Sequence, residues 1–504
     1  MRLETPGAAV AAPPAVVIDR VRLPGDGALH QLVVRDGRVA HLGPARPVGV
    51  GVEERMDAEG RTLVPGLRDA HVHATQWAAT RQRLDLTGCG SAGAAAALVA
   101  ATARGGRDTS EEPLVGGGFR DGLWEDQPHK ALLDAAAPGR AVLLQSADLH
   151  TAWLNSAALA LVGRHDHPTG VLHEQDCYRA VAALPEATTD QLDRWVLDAM
   201  AAAATRGVTH VIDFEIGDCL PDWQRRAALE DLAVAVCCTV YPAHLAAAVT
   251  RGLASGAVVP DTRGNVTVGP LKVFVDGSLN SRTALCHEPY PTTANGDAGR
   301  GRLETPPEAL DALLREASTH GLTAAVHAIG DRAVSIALDA FERTGLDGRI
   351  EHAQLVATAD LPRFRRPGLV VGVQPAHAPD DRDIADHHWS GRTARAFPYA
   401  DLLRAGATLE IGSDAPVAPL DPWDGIASAV SRTDDDRPPW HPEQRIDVAA
   451  ALRAACGGRD TVAVGDVADL VLLATDPLTA TPDQLREPGI AATLLRGRWT
   501  HRDG

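Results

Sequence analysis

From Thr209 onward, short apolar runs alternate with helix-like segments, and this alternation constrains the fold more than any other feature of the chain. The candidate strands are THVIDFE from 209, VAVCCTVYPA from 234, VTVGPLKVFVDGS from 266, LTAAVHAIG from 322, RIEHAQLV from 349, LVVGVQPAHA from 369 and ATLEIGSDAP from 407. Between them lie segments such as PEALDALLREAST and RAVSIALDAFERT, whose apolar residues recur at helical spacing. Strands separated by helices must run parallel, because each crossover returns the chain to the same edge. Adding RTLVPGLRDAHVH from 61 brings the count to eight, the number that closes a (β/α)8 barrel.

The rest of the 504 residues arranges itself around that barrel. At about 150 residues per domain the length calls for two or three structural units. The stretch between His73 and Thr209 greatly exceeds one helical crossover, so an insertion after the first barrel strand is expected at about 75–195. Residues 15–64 are β-rich, with a turn signal in RDG at 35–37, and VADLVLLATDP and IAATLLRGRWTHRDG near the other end share that character. One small β-sandwich built from 15–64 and 456–504 is therefore expected, with the barrel over 65–455 and a disordered lead-in at 1–14. The formal net charge of −18, with no clustered basic face, argues against a nucleic-acid partner. No apolar stretch reaches the roughly 20 residues needed to span a bilayer, and the opening residues make a poor signal peptide. Seven scattered cysteines without C-x-x-C suit reduced thiols, hence a cytoplasmic location. A homodimer is one arrangement that the sequence leaves open.

Barrel active sites form at the C-terminal ends of the strands. In VPGLRDAHVHA, residues 64–74, His71 and His73 alternate with Val72 and share one face of an extended strand. Lys272, His327, His352 and Asp414 occupy the corresponding ends of later strands. Singly, each histidine is more often a hydrogen-bonded core residue than a ligand; six such residues at matching strand ends point to a metal centre. Lys272, inside PLKVFVDG, needs either a carboxylate such as Asp276 or a role at the metal, because an unpaired buried ammonium is costly.

The set DAHVH, LKVFVDGSLNSRTA, VHAIGDRAV, RIEHAQL and IGSDAPVAPLDPW resembles the amidohydrolase superfamily, in the amidohydrolase-3 branch that includes N-substituted formamide deformylase and YtcJ-like hydrolases. The resemblance runs from about 15 to 500. It implies a (β/α)8 barrel with a terminal β-sandwich and two divalent ions, zinc by ligand type, with Mn, Fe, Co and Ni also compatible. By the same resemblance His71, His73 and Asp414 hold the more buried ion and His327 and His352 the second. Lys272, carboxylated on its amine, bridges both. The implied reaction is hydrolysis of the C–N bond of a small-molecule amide, an N-substituted formamide or other N-acyl amine, with Asp414 moving the proton. A deaminase or cyclic amide hydrolase of the same superfamily, or a scaffold without catalysis, are the competing readings. For substrate binding the candidates are Trp124 and His150 in the insertion and Arg282 after the fourth strand, each balanced against a packing, capping or ion-pairing role. DRDIADHHWSGR after the seventh strand reads as a mobile lid, with His387 and His388 solvated.

Overall fold

Valine, isoleucine and alanine dominate the barrel runs, and in the computed structural model these runs pair into one parallel sheet. The structure describes residues 15–47, 52–105, 112–121, 124–146, 151–173, 175–291 and 299–503; the expected lead-in at 1–14 lies outside them. The sheet comprises β1 (Leu67–Val72), β2 (Val208–Asp213), β3 (Ala235–Val240), β4 (Val266–Phe274), β5 (Ala324–Ala328), β6 (Gly348–His352), β7 (Leu369–Val373) and β8 (Thr408–Ile411). Each strand pairs in parallel with the next in sequence. Every residue of β5 and β6 is buried, as expected of strands covered on both faces. The covering helices carry their apolar residues on one side: Leu310, Leu314 and Ala317 are the buried positions of the helix Pro307–Thr319.

Closure comes just beyond the ends of β8 and β1. Asp414 N–H donates to His71 O at 2.7 Å and His73 N–H to Ala415 O at 2.8 Å. Gly412 permits that approach, since a Cβ there would lie 2.6 Å from the His71 nitrogen. The barrel is thus sealed where two of the candidate histidines sit.

The long run RTLVPGLRDAHVH parts into two strands instead of forming one. Thr62–Pro65 pairs antiparallel with Leu470–Leu473, while β1 begins at Leu67. Gly66 marks the break, where a Cβ would meet Thr209 Oγ1 at 2.4 Å. Thr62–Pro65 completes one four-stranded sheet with Leu470–Leu473, Ile490–Leu495 and Arg498–Arg502. A second four-stranded sheet is built from Ala15–Val21, His30–Arg35, Arg38–Gly43 and Val52–Asp57. Val16, Ile18, Leu32 and Val34 of this sheet share a buried core with Leu470, Leu472 and Leu494 of the other, a small β-sandwich made from both chain ends. Its RDG turn has φ of 50° at Asp36 and 71° at Gly37, the left-handed pair that tight hairpins require.

By contacts the chain falls into two units: residues up to Gln76 together with Leu197 onward, and Trp77–Val196. The second unit has its own five-stranded sheet, ordered Val171–His173, Thr151–Leu154, Val142–Ser146, Leu114–Phe119, Leu84–Asp85. Phe119, Trp124 and Trp153 lie in its core. All seven cysteines are free thiols. Among the described residues no helix is long and apolar enough to cross a membrane.

Candidate metal centre

Six polar side chains converge at the C-terminal mouth of the barrel, and burial dictates how each must be satisfied. His71 is 1% exposed. Its ring stacks on Phe214 at 3.9 Å between centroids, and its Nδ1 donates to Glu351 Oε2 at 2.8 Å. The other ring nitrogen, Nε2, faces Asp414 Oδ1 at 3.6 Å. His73 Nε2 reaches the same oxygen at 3.4 Å, while its Nδ1 is buried with no partner among the described residues. One donor atom from each of His71, His73 and Asp414 lies within 4.8 Å of the others.

Asp414 and His352 hold their positions at a conformational cost. Their φ values are 57° and 77°, in the left-handed region that non-glycine residues rarely adopt. At Asp414 the backbone hydrogen bond to His71 enforces this turn. Asp69 ties the same corner from below, accepting from His71 N at 3.2 Å and Ser413 N at 2.9 Å.

His327 and His352 form the second half of the cluster, with ring centroids 4.5 Å apart. Each has one nitrogen fixed by a neutral acceptor. Gly277 O accepts from His327 Nε2 at 3.2 Å, and Gln374 Oε1 accepts from His352 Nδ1 at 2.9 Å. The loop that presents Gly277 is pinned by Asp276, whose carboxylate accepts from Leu285 N, Ile329 N and Gly330 N at 2.7, 3.0 and 2.9 Å.

Lys272 is 1% exposed, and its Nζ lies 4.5 Å from the Phe214 ring centre and 4.9 Å from that of Phe274. Phe214 stacks on His71, and Phe274 lies 5.0 Å from the His327 ring, so the amine stands between the two histidine groups. No carboxylate among the described residues is within ion-pairing distance of it. Asp276, the partner a structural role would need, is committed to backbone amides and to His327 at 3.6 Å.

Electrostatics prepares these donors for a cation. Burial, helped by the Lys272 charge, pushes the His71 imidazole down to about 4, and burial pushes His352 down to about 3. His327 lies well below its ordinary value for the same reason, reinforced by His352 and Lys272. All three rings are therefore neutral near pH 7, with a lone pair to offer. For Asp414, burial favours the acid form, but the His71 field and the hydrogen bond from His73 outweigh it and hold the carboxyl well below the usual range. Burial drives the Lys272 amine down to about 8, opposed by the fields of Glu351 and Asp414. Neutral imidazoles and an ionised carboxylate are a donor set that suits zinc and similar divalent ions, and the unclaimed His73 Nδ1 leaves that ring free to serve.

The sequence reading missed the group behind His71. Glu351 Oε1 accepts from Arg349 Nε at 2.6 Å, Arg349 also pairs with Glu410, and Glu410 Oε1 accepts from Arg68 Nη1 at 3.2 Å. The signal was available: charged residues inside the apolar strands RIEH and TLEI demand partners, as Lys272 did. The substrate-side candidates are placed less pointedly. Trp124 is a core residue of the Trp77–Val196 unit, its ring 5.5 Å from Phe119 and its Nε1 donating to Cys89 O. His150 lies outside the described residues. Arg282 is exposed, with φ of 57° and no ion pair among the described residues. The stretch expected to be a mobile lid forms a helix over Arg382–His388 that ends on the buried Trp389.

Residues 54–501 match the protein family described as "Amidohydrolase family". Among curated relatives, the "Protein LONG AFTER FAR-RED 3" of Arabidopsis thaliana is 29% identical over 88% of this chain and 84% of its own. The N-substituted formamide deformylase of Arthrobacter pascens is 25% identical over 92% of this chain and 94% of its own. Among solved structures, an uncharacterized metal-dependent hydrolase from Pyrococcus furiosus superposes with a TM-score of 0.73 at 25% identity. That match covers 92% of this chain and all of the other, 100%.

Proposed function

The chain belongs to the amidohydrolase family, in its amidohydrolase-3 branch, and from that premise we propose that it hydrolyses the C–N bond of an N-substituted formamide or another small N-acyl amine. It is a hydrolase acting on carbon–nitrogen bonds and uses divalent metal. The observation that carries the finer reading is the convergence of His71, His73 and Asp414 donors within 4.8 Å, next to a buried lysine with no carboxylate at ion-pairing distance among the described residues.

His71, His73 and Asp414 hold one ion in this reading, and His327 and His352 the other. Lys272 would join the two groups as a carbamate, formed when its neutral amine adds carbon dioxide and loses a proton, because an anionic two-oxygen group attracts cations where an ammonium repels them. Zinc, when bound there, would supply Lewis acidity toward the substrate carbonyl and a water molecule. Asp414 takes the proton of that water and returns it to the departing nitrogen. One carbon–oxygen bond forms, one carbon–nitrogen bond breaks, and a carboxylic acid and an amine leave. Burial favours the acid form of Asp414, and the hydrogen bond from His73 favours its carboxylate.

The test is a panel of N-formyl and N-acyl amines offered to zinc-loaded protein, with amine release measured alongside metal content. Release of amine from formamides, with two ions per chain, is the expected result. Release of ammonia from amino-heterocycles alone would move the assignment to a deaminase, and protein without bound metal or turnover would make it a scaffold.

A further inference from the structure

Behind His71 the barrel interior holds an alternating row of charges. Glu351 is 0% exposed, and Arg349 and Glu410 are each 8% exposed. A lone carboxylate at such depth is costly, and this one persists because each of its oxygens has a separate partner: Oε2 the His71 Nδ1 at 2.8 Å, Oε1 the Arg349 Nε at 2.6 Å. Gly372 on β7 makes the room. A Cβ there would stand 2.1 Å from Glu351 Oε2 and 2.9 Å from Arg349 Nη2. The row continues through Glu410 to Arg68, whose side chain is 36% exposed and lines a cavity of about 640 Å³ away from the metal centre, among Gly66, His210, Arg459 and Asp469. A carboxylate fixed by arginine can only accept, so Nδ1 of His71 must carry the proton. Nε2 then presents its lone pair toward Asp414 and His73.

We propose that Glu351, Arg349 and Glu410 are positioning residues that set the tautomer and orientation of His71, and that Arg68 anchors this row from the far mouth of the barrel. The inference rests on the reading of His71 as an ion ligand. Partners of this kind behind a ligating histidine typically contribute 10- to 100-fold in metal affinity. Glu351 and Arg349 never meet the substrate in this account, so their effect reaches catalysis only through His71.

Zinc-binding constants, measured by chelator competition on wild type, Glu351→Gln and Arg68→Met, decide it, with circular dichroism and melting of the apo forms as controls for folding. Glu351→Gln should weaken zinc binding about 10- to 100-fold and shift the visible spectrum of the cobalt-substituted protein. Arg68→Met, half-exposed and remote from the site, should weaken it in the same direction by a smaller factor. Zinc bound with wild-type affinity and an unchanged cobalt spectrum by Glu351→Gln would overturn the proposal. If Glu351→Gln fails to fold, wild-type affinity in Arg68→Met overturns it instead. A wild-type protein that binds no zinc sinks the metal reading and this one together, whereas equal binding by all three proteins sinks only the role of the row.

Discussion

The two halves of the candidate centre solve the same problem differently. Around His71, His73 and Asp414 the charges are already balanced: an ionised carboxylate faces two imidazoles, and a second carboxylate, Glu351, backs one of them. Around His327 and His352 the hydrogen-bonded partners are a backbone carbonyl and a neutral amide; the Asp276 carboxylate, 3.6 Å from His327, is taken up by three backbone amides, and the amine of Lys272 is a cation. The first half is ready for a cation as it stands. In the proposed reading the second becomes so when the Lys272 amine is carboxylated into an anion, which would make lysine chemistry and ion uptake at the second half one event.

The comparison breaks most visibly at Asp414, the carboxylate of the ready half. Asp414→Asn should stay folded and lose about 10²- to 10⁴-fold in kcat, the usual contribution of acid–base assistance. Near-wild-type turnover in a folded variant would hand the proton to another group. Lys272→Ala addresses the other half and should lose the second ion and most of the activity. It should leave one ion per chain on His71, His73 and Asp414, with partial recovery in a small carboxylic acid. Two ions retained at normal turnover would make the lysine structural. Gln374→Ala removes only the neutral partner of His352, so a loss of a few-fold is expected, well below that of removing a charged partner. Equal losses from Gln374→Ala and Glu351→Gln would erase the contrast.

A smaller effect appears in the pH dependence of the metal-free protein. Burial depresses His71 and His210 to about 4, His352 to about 3, and His327 well below its ordinary value. A depressed histidine contributes stability that is present above the unfolded value near 6.5 and is lost on acidification toward the folded value. Asp69 and Asp276, each raised by burial to about 7, act oppositely: between their unfolded and folded values the native state holds the extra proton. The histidine loss between pH 6.5 and pH 5 is expected to exceed the opposing gain from Asp69, Asp276 and the other raised carboxyls, Asp213 and Asp421 among them, so the metal-free protein should be less stable at pH 5. Thermal melts of chelator-treated protein at those two values check the sign, and a higher Tm at pH 5 would refute it.

The barrel was legible because each of its strands is an apolar run with punctuation; β3, β4, β5, β7 and β8 fall inside the runs that the alternation marked, and β2 and β6 begin one residue ahead of theirs. RTLVPGLRDAHVH misled in one respect, since nothing in its apolar character distinguishes a strand that leaves one sheet at Pro65 from one that enters another at Leu67. His71, His73, Lys272, His327, His352 and Asp414 stood out because imidazole, amine and carboxylate are conspicuous at strand ends. Arg349, Glu351 and Glu410 did not, although the same reasoning about buried charge applies to them. Their partners lie on other strands, and only the closed barrel shows which charge meets which. The internal sheet of the Trp77–Val196 unit was unread for a related reason: its strands are short and carry mixed faces such as LVGGGF.

The sandwich sheet that joins Thr62–Pro65 to Leu470–Leu473 has a consequence for how the molecule is made on the ribosome. The early strands emerge with their partner not yet synthesised, so Leu63 and the apolar face beside it stay uncovered while the barrel is translated. Final closure must wait for the last strands, Ile490–Leu495 and Arg498–Arg502. Nascent chains arrested before that point should therefore hold a waiting edge, open to proteases and to chaperones, that vanishes on completion.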